Sequence, residues 1–452
     1  MKIHHPPQRA FAISLALVGI LNLPSSLHAA DADPIANHGS GSATLSVGAI
    51  VEYSIASPIV IHGSVSATEA YSDKYNFLGH NDGKFDLIQR EMTLNGAYRF
   101  ENGLRTSAQL YAYDFQGYRD LTIDFANVDY SVVPEFGVRA GRNKVMHGFY
   151  NDVQDLDQVR VFASLPLAFY PRAFRALRSG SDGLSFYGSV STPKAGSFDY
   201  TLSAGYAPSI GRDAPFARSL AGMTRVQSMK GNWLYGASLV WNTPVDGLRV
   251  GYSFSFLPEI KMEQTIDTRA GLAARAIDAP PAVMVDAMMG PGAWDNSGLF
   301  AGTSAWSSNR LKGHVFSAEY TIGEWIATVE YSHADQLLEM SMPALGPNMS
   351  LKVYQDDVYG QLTYQVTKRI GLGVYYAFSD SDSKNTDPRP SKYTTMKDAA
   401  AAVSYAVTPW WLVKAEVHAI DGLMLVGRAG EINRTIDDPR FTVFMLKTTL
   451  SF

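Results

Sequence analysis

The chain has 452 residues, with 38 Lys and Arg against 43 Asp and Glu, 46% hydrophobic residues and no cysteine. That acidic balance does not favour nucleic acid or an anionic membrane surface as a partner. Without any disulfide, an exported chain of this size has to be held by its own hydrogen bonding, which suits a closed barrel whose backbone pairs are all internal.

Residues 1–29 read as a secretory signal peptide: Lys2 and Arg9 carry charge, Phe11 to Leu23 is apolar, and Leu27-His28-Ala29 offers a small residue for cleavage. The apolar run is short of the roughly 20 residues a membrane helix needs. Leaving out Lys2 and Arg9 gives 36 basic against 43 acidic residues, a formal charge of −7. Residues 30–58 are expected to form a periplasmic lead-in, although Ala43 to Tyr53 is itself strand-like.

From residue 59 to the end the pattern has period two. Met92, Leu94, Gly96, Tyr98 and Phe100 alternate with Thr93, Asn95, Ala97 and Arg99. Similar alternation recurs around Phe198–Tyr206, Val250–Phe256, Trp325–Tyr331, Leu372–Phe378 and Trp411–Val417. The runs approach the ten or so residues that a tilted strand needs to cross a bilayer.

Connections alternate between short and long. Seven short turns fall near Asn102, Glu135, Pro193, Pro244, Ile322, Thr367 and Thr408. Eight longer connections are expected at 69–84, 114–120, 145–183, 207–233, 257–311, 335–353, 380–395 and 420–440, the fifth of them including Asp278 to Trp294. Fifteen connections imply sixteen strands, and short periplasmic turns with longer external loops are the outer-membrane pattern. The predicted fold is therefore all-β, a transmembrane antiparallel up-and-down barrel over residues 59–452.

The segment 145–183 stands out. It is long, and a connection of that length in a compact domain usually has a function. It carries Asp152, Asp155, Asp157, Arg160, Arg172, Arg175, Arg178 and Asp182. Arg172, Arg175 and Arg178, at spacing three behind Pro171, fit one side of a short helix. Arg139, on the strand before, has luminal parity; Arg142 falls on the other parity. Three close aspartates suggest calcium, but their spacing fits no ligand loop, and a solvated face is the plainer expectation. No metal or other cofactor is expected.

Together the signal peptide, the strand count and the terminal strand Phe441 to Phe452, with Phe444, Leu446, Thr448, Leu450 and Phe452 on one face, resemble the Gram-negative porins. The resemblance is one of architecture over nearly the whole mature chain. It implies a trimeric, sixteen-stranded diffusion channel of the outer membrane, in contact with its lipid and lipopolysaccharide, and an inward third external loop, here 145–183. Pro134-Glu135-Phe136-Gly137 has the letters of a constriction-loop motif but lies at a short turn.

The function expected is passive passage of small hydrophilic solutes, anionic ones included, past Arg139, Arg142, Asp152, Asp155, Asp157, Arg160, Arg172, Arg175 and Arg178. Acids first and arginines later would set up a transverse field in a narrow lumen. The alternatives are a structural or adhesive barrel and a barrel hydrolase. The hydrolase reading lacks a constellation: His147, His314, His333 and His418 are scattered, and Gly39-Ser40-Gly41-Ser42 is not a nucleophile elbow.

Overall fold

The computed structural model describes residues 53–55, 59–115, 118–207, 224–267, 301–343, 348–381, 391–426 and 438–452, with isolated positions in between. The signal peptide, most of the lead-in and Asp278 to Trp294 apart from Pro291 and Gly292 lie outside the described residues.

The first strands are β1 (Tyr53–Ile55), β2 (Ile59–Ser72), β3 (Phe85–Arg99), β4 (Leu104–Phe115), β5 (Tyr118–Val133) and β6 (Phe136–Asn143). After the long loop come β7 (Ser181–Thr192), β8 (Gly196–Tyr206), β9 (Thr224–Lys230), β10 (Trp233–Asn242), β11 (Leu248–Ile266) and β12 (Ser304–Ile322). The last are β13 (Trp325–Ser341), β14 (Met349–Thr367), β15 (Ile370–Asp380), β16 (Thr395–Thr408), β17 (Trp411–Asp421) and β18 (Arg440–Ser451).

All eighteen belong to one antiparallel sheet. β9 and β10 pair in succession with the same strand, β11, and act as one interrupted stave. β1 is a three-residue strand on the start of β2. Setting β1 aside and counting β9 with β10 leaves a closed ring of sixteen staves. The ring closes where β18 pairs with β2, from Val443↔Ser72 to Ser451↔Ser64. Closure leaves no open edge in the ring, so the staves satisfy one another's backbone groups.

The usual inside-out rule is reversed. Leu202, Val329, Val374 and Leu446 point outward and are exposed, whereas Glu330, Lys414, His418 and Lys447 point inward and are buried. Period two puts these sets on opposite faces of each stave, and an apolar outer face belongs in a bilayer. Trp241, Trp325, Trp410 and Trp411 stand exposed around the short-turn rim, the position of an interfacial aromatic belt. The C-terminal ring of Phe452 lies over Gly63, where even a methyl group would collide with it. The two residues also exchange backbone hydrogen bonds of 3.0 and 2.9 Å. Gly63 is thus covered by its own chain.

All seven short turns fall where the sequence puts them. One long connection does not: β4 runs to Phe115 and β5 begins at Tyr118, so 114–120 reduces to residues 116–117. β11 to β14 also run further than expected, 19, 19, 17 and 19 residues. In the outer end of β11 the contrast inverts, with Ile260 and Met262 buried inward and Lys261 and Glu263 exposed outward, so the run no longer reads as lipid-facing.

Candidate functional site

The loop between β6 and β7 is held against inward-facing residues of the wall. Its centre, Val161 to Tyr170, is buried throughout. Phe162 packs on Tyr375 with ring centroids 5.1 Å apart, and Phe169 meets Tyr359 edge-on at 5.0 Å. The wall is cut away to receive it. A Cβ on Gly373 would lie 2.8 Å from the Phe162 ring, and one on Gly251 would lie 2.4 Å from that of Phe149. Ala377, Ala400 and Ala402 complete the apolar seat.

Polar anchors surround this seat. Tyr150 donates to Glu319 at 2.6 Å. Glu330 accepts from the Phe149 N–H at 2.8 Å and from Tyr170, Tyr359 and Ser317, each at 2.5 Å. Glu416 accepts from the backbone N–H of Ala163 at 2.5 Å and of Ser164 at 3.2 Å. Lys414 donates to the carbonyl oxygens of Asp157 and Phe162, both at 2.8 Å.

The charged loop residues form two knots. In one, Asp157 lies 2.7 Å from Arg160, 2.9 Å from Lys447 and 3.7 Å from Lys414. Thr449 also donates to Asp157, at 2.8 Å. In the other, Arg175 grips Asp155 at 3.1 and 2.6 Å, reaches Asp124 at 3.1 Å and lies 3.5 Å over the Tyr111 ring. Lys144 closes this knot at 2.7 Å from Asp124 and 3.3 Å from Asp155. Arg172 is 2.8 Å from Glu91, which Lys447 shares at 3.0 Å. Burial works against both aspartates, yet Arg175 and Lys144 hold Asp155, and Lys447, Lys414 and Arg160 hold Asp157, well below the ordinary carboxylate range. Such pairs stay ionised because neighbouring charge outweighs desolvation.

The remaining expected residues divide. Arg139 faces inward, 2.9 Å from Asp129 and 5.0 Å from the Tyr187 ring centroid. Arg142 keeps the outward parity and clasps Asp182 across the wall at 2.7 and 2.8 Å, away from the loop. Arg172 to Arg178 is a helical turn as the spacing suggests, a 3-10 turn passing into α. Its arginines do not act as a row, since Arg178 turns instead to the Phe169 carbonyl at 3.1 Å. Burial, opposed by Asp357 and Tyr170, lowers the Arg178 guanidinium to about 10. Asp152 is exposed. Arg160, Arg172 and Arg175 thus each lie beside a carboxylate, whereas Arg178 and Asp152 have no ion pair among the described residues.

A cavity of about 180 Å³ lies between the loop's first turn and the opposite wall. Arg139, Tyr187, Asp199, Arg249, Asp152 and Phe149 are among its lining. Arg249 is 2.8 Å from Glu319 and lies 4.3 Å over the Phe149 ring. His147 also borders it; burial and nearby Arg178 hold its ring well below the ordinary histidine value, so it adds no charge. Sequence reading did not single out Arg249, Glu330, Glu416 or Lys447. A signal for their role was there: Val161 to Tyr170 is too apolar for a solvated external loop and needed a buried seat.

No family model matches the chain, and no curated protein matches it. Solved structures do. OmpT of Vibrio cholerae with loop L8 deleted, an outer membrane protein, is 13% identical with a TM-score of 0.48, covering 87% of this chain and 99% of its own. OmpF of Salmonella typhi is 12% identical with a TM-score of 0.48, covering 87% and 97%. The outer membrane channel DcaP of Acinetobacter baumannii is 10% identical with a TM-score of 0.47, covering 87% and 97%. The architecture is a closed antiparallel β-barrel of sixteen staves. Sixteen antiparallel staves, an apolar belt and short turns gathered at one rim make this an outer-membrane barrel.

Proposed function

We propose that this chain is a passive outer-membrane channel for small hydrophilic solutes, and that residues 145–183 set its opening. The observation that carries the reading is the loop's attachment to inward-facing residues of β3, β5, β11 to β13 and β15 to β18 through side chains far apart in sequence. The cavity on the far wall is the start of the passage. Arg139 and Arg249, each held by a wall carboxylate, line this cavity and are the guanidinium groups placed to meet an anionic solute such as a carboxylate, which a guanidinium binds through two hydrogen bonds. The signal peptide 1–29 delivers the chain to export, and no catalytic role is assigned.

The assembly is read as a homotrimer. A shallow groove on the outer face of β2 to β6, lined by Gly96, Ala108, Ala126 and Ala140 with Ile61, Tyr98 and Val128, is shaped for close approach of a second barrel. Crosslinking in mild detergent should give a trimer, and a monomer alone would overturn this part.

A closed structural barrel is the competing reading, favoured by how much of the inner wall the loop occupies. Planar-bilayer recording separates the two. Replacing Val153 to Arg178 by a short Gly-Ser link should raise single-channel conductance while the heat-modifiable mobility of the folded barrel persists. A correctly folded variant with no conductance would sink the channel reading; conductance equal to wild type would place the loop outside the path.

A further inference from the structure

The cavity between the loop's first turn and the wall carries a pattern of charge that passage alone does not use. In stave order its wall presents Arg139 on β6, Asp199 on β8 and Arg249 on β11, and the loop adds Asp152. Pairing links these staves without a gap: Arg139↔Ser185 and Ser185↔Ser203 on one side, Asp199↔Val240 and Val240↔Gly251 on the other. The turn that holds Asp152 is fixed on both flanks. The Phe149 N–H donates to Glu330 at 2.8 Å, and the Asn151 side chain donates to the carbonyl oxygens of Val145 and Arg178 at 2.8 and 3.1 Å.

The cations around this space are taken and two of the carboxylates are not. Arg139 donates from Nε to Asp129 at 2.9 Å, and Arg105 also reaches Asp129, at 3.8 Å. Arg249 donates from Nε to Glu319 at 3.0 Å. Lys144, the nearest loop cation, lies on Asp124 and Asp155. Glu330 is satisfied by neutral donors, the Phe149 N–H and three hydroxyls. Asp199 accepts only from the Asn242 amide, at 2.8 Å. The Asp152 carboxylate has no ion pair or hydrogen bond among the described residues, and Lys144 and Arg139 act on it from further away. Two carboxylates facing one narrow space without a close cation draw positive charge into it.

Two features say that this charge comes on a molecule, not as a bare ion. The terminal nitrogens of Arg139 make no hydrogen bond among the described residues, so the same space offers a guanidinium edge to a carboxylate. His147 Nε2 borders the cavity, buried and without a hydrogen-bond partner among the described residues, and an N–H donor can satisfy it. A metal ion would use neither, and no three His, Asp or Glu among the described residues are placed to hold one. A solute with an ammonium at one end and a carboxylate at the other uses both signs of the lining.

We propose that this cavity is a binding site for a small zwitterion, an amino acid with a short side chain, its ammonium drawn by Asp152 and Asp199 and its carboxylate by Arg139. The proposal rests on the channel reading and names the solute class that the passage favours. The volume of about 180 Å³ suits a solute of that size. Because the turn and the wall are already fixed, little ordering is needed on entry. The charges are shared with wall partners, so the solute is held weakly enough to leave, as conduction requires.

The test uses the full barrel in liposomes of neutral lipid. It compares osmotic swelling in L-alanine with swelling in lactamide, the uncharged isomer of alanine, so that size and composition cancel in the ratio of rates. Wild type should admit alanine at least twice as fast as lactamide. D152N/D199N should bring the ratio down to about one, and R139Q should also lower it. A control, D246N/E324Q, removes equal charge at the short turns and should keep the wild-type ratio. A wild-type ratio below two, an unchanged ratio in either site variant, or an equal fall in the control would overturn the proposal. Failure of the proposal and of the channel reading are distinct: in the first case both solutes still enter, and in the second neither does. Should D152N/D199N fail the heat-modifiable gel test for folding, D152N alone, on the loop, is measured and should lower the ratio by at least a third; an unchanged ratio would count against the site.

Discussion

Replacing Asp157 by alanine tests whether the loop is held by its ionic knots. Asp157 is 3% exposed and accepts from Arg160, Lys447 and Thr449 at 2.7, 2.9 and 2.8 Å. Its removal leaves Lys414 without its nearest carboxylate, and Lys447 with Glu91 alone, at positions that are 1 and 2% exposed. Removing one partner of a buried ion pair typically costs about 3–5 kcal/mol, because the other charge stays desolvated. The contacts with Lys447, Lys414 and Thr449 join loop to wall, not stave to stave, so most of the loss falls on docking. At about 1.4 kcal/mol per decade, the undocked population should rise by roughly two to three and a half orders of magnitude. Single-channel recording should then show a high-conductance state that is rare in wild type. Adding Lys447→Met should restore part of the docking, since it removes one of the stranded cations. A folded Asp157→Ala barrel with the wild-type record would refute this account of how the loop is anchored.

Three further outcomes are expected. Asp155 and Asp157 sit below their ordinary range when docked, so their contribution is complete above the undocked value of about 4 and is lost as pH falls through the docked values; conductance should be flat from pH 7 to 5 and rise only below about 4, and a rise near pH 6 would contradict this. Replacing Arg139 and Arg249 together by glutamine should shift the zero-current potential in a salt gradient towards cation preference, by less as salt rises; an unchanged potential would put both residues outside the path. Gly63→Val should collide with the Phe452 ring and slow barrel assembly in a refolding time course read by heat-modifiable mobility, whereas the outward neighbour Val65→Ala should not; equal rates would show that this closure contact is dispensable.

Some of this protein is written locally. Alternation such as Met92 to Phe100 is a property of neighbouring residues, because period two alone decides which side chains face lipid, so stave identity and the short turns can be read directly. The reading weakens where that contrast fades. The 114–120 stretch is polar enough to look like a loop, yet pairing carries β4 and β5 almost to contact. The outer halves of β11 to β14 leave the membrane and lose their apolar face, although their hydrogen bonds continue. The spacing of Arg172, Arg175 and Arg178 announced a helical turn, again a local matter. Which acid each arginine meets was not local. Arg172 finds Glu91 across 81 positions, and Lys447 finds Asp157 across 290, because closure brings distant staves around one lumen. Charge order along 145–183 suggested a transverse field; only the folded loop decided that Arg160, Arg172 and Arg175 each lie beside a carboxylate. Arg142 and Arg139 are three residues apart and lie on opposite sides of the wall, a separation that period two already contained.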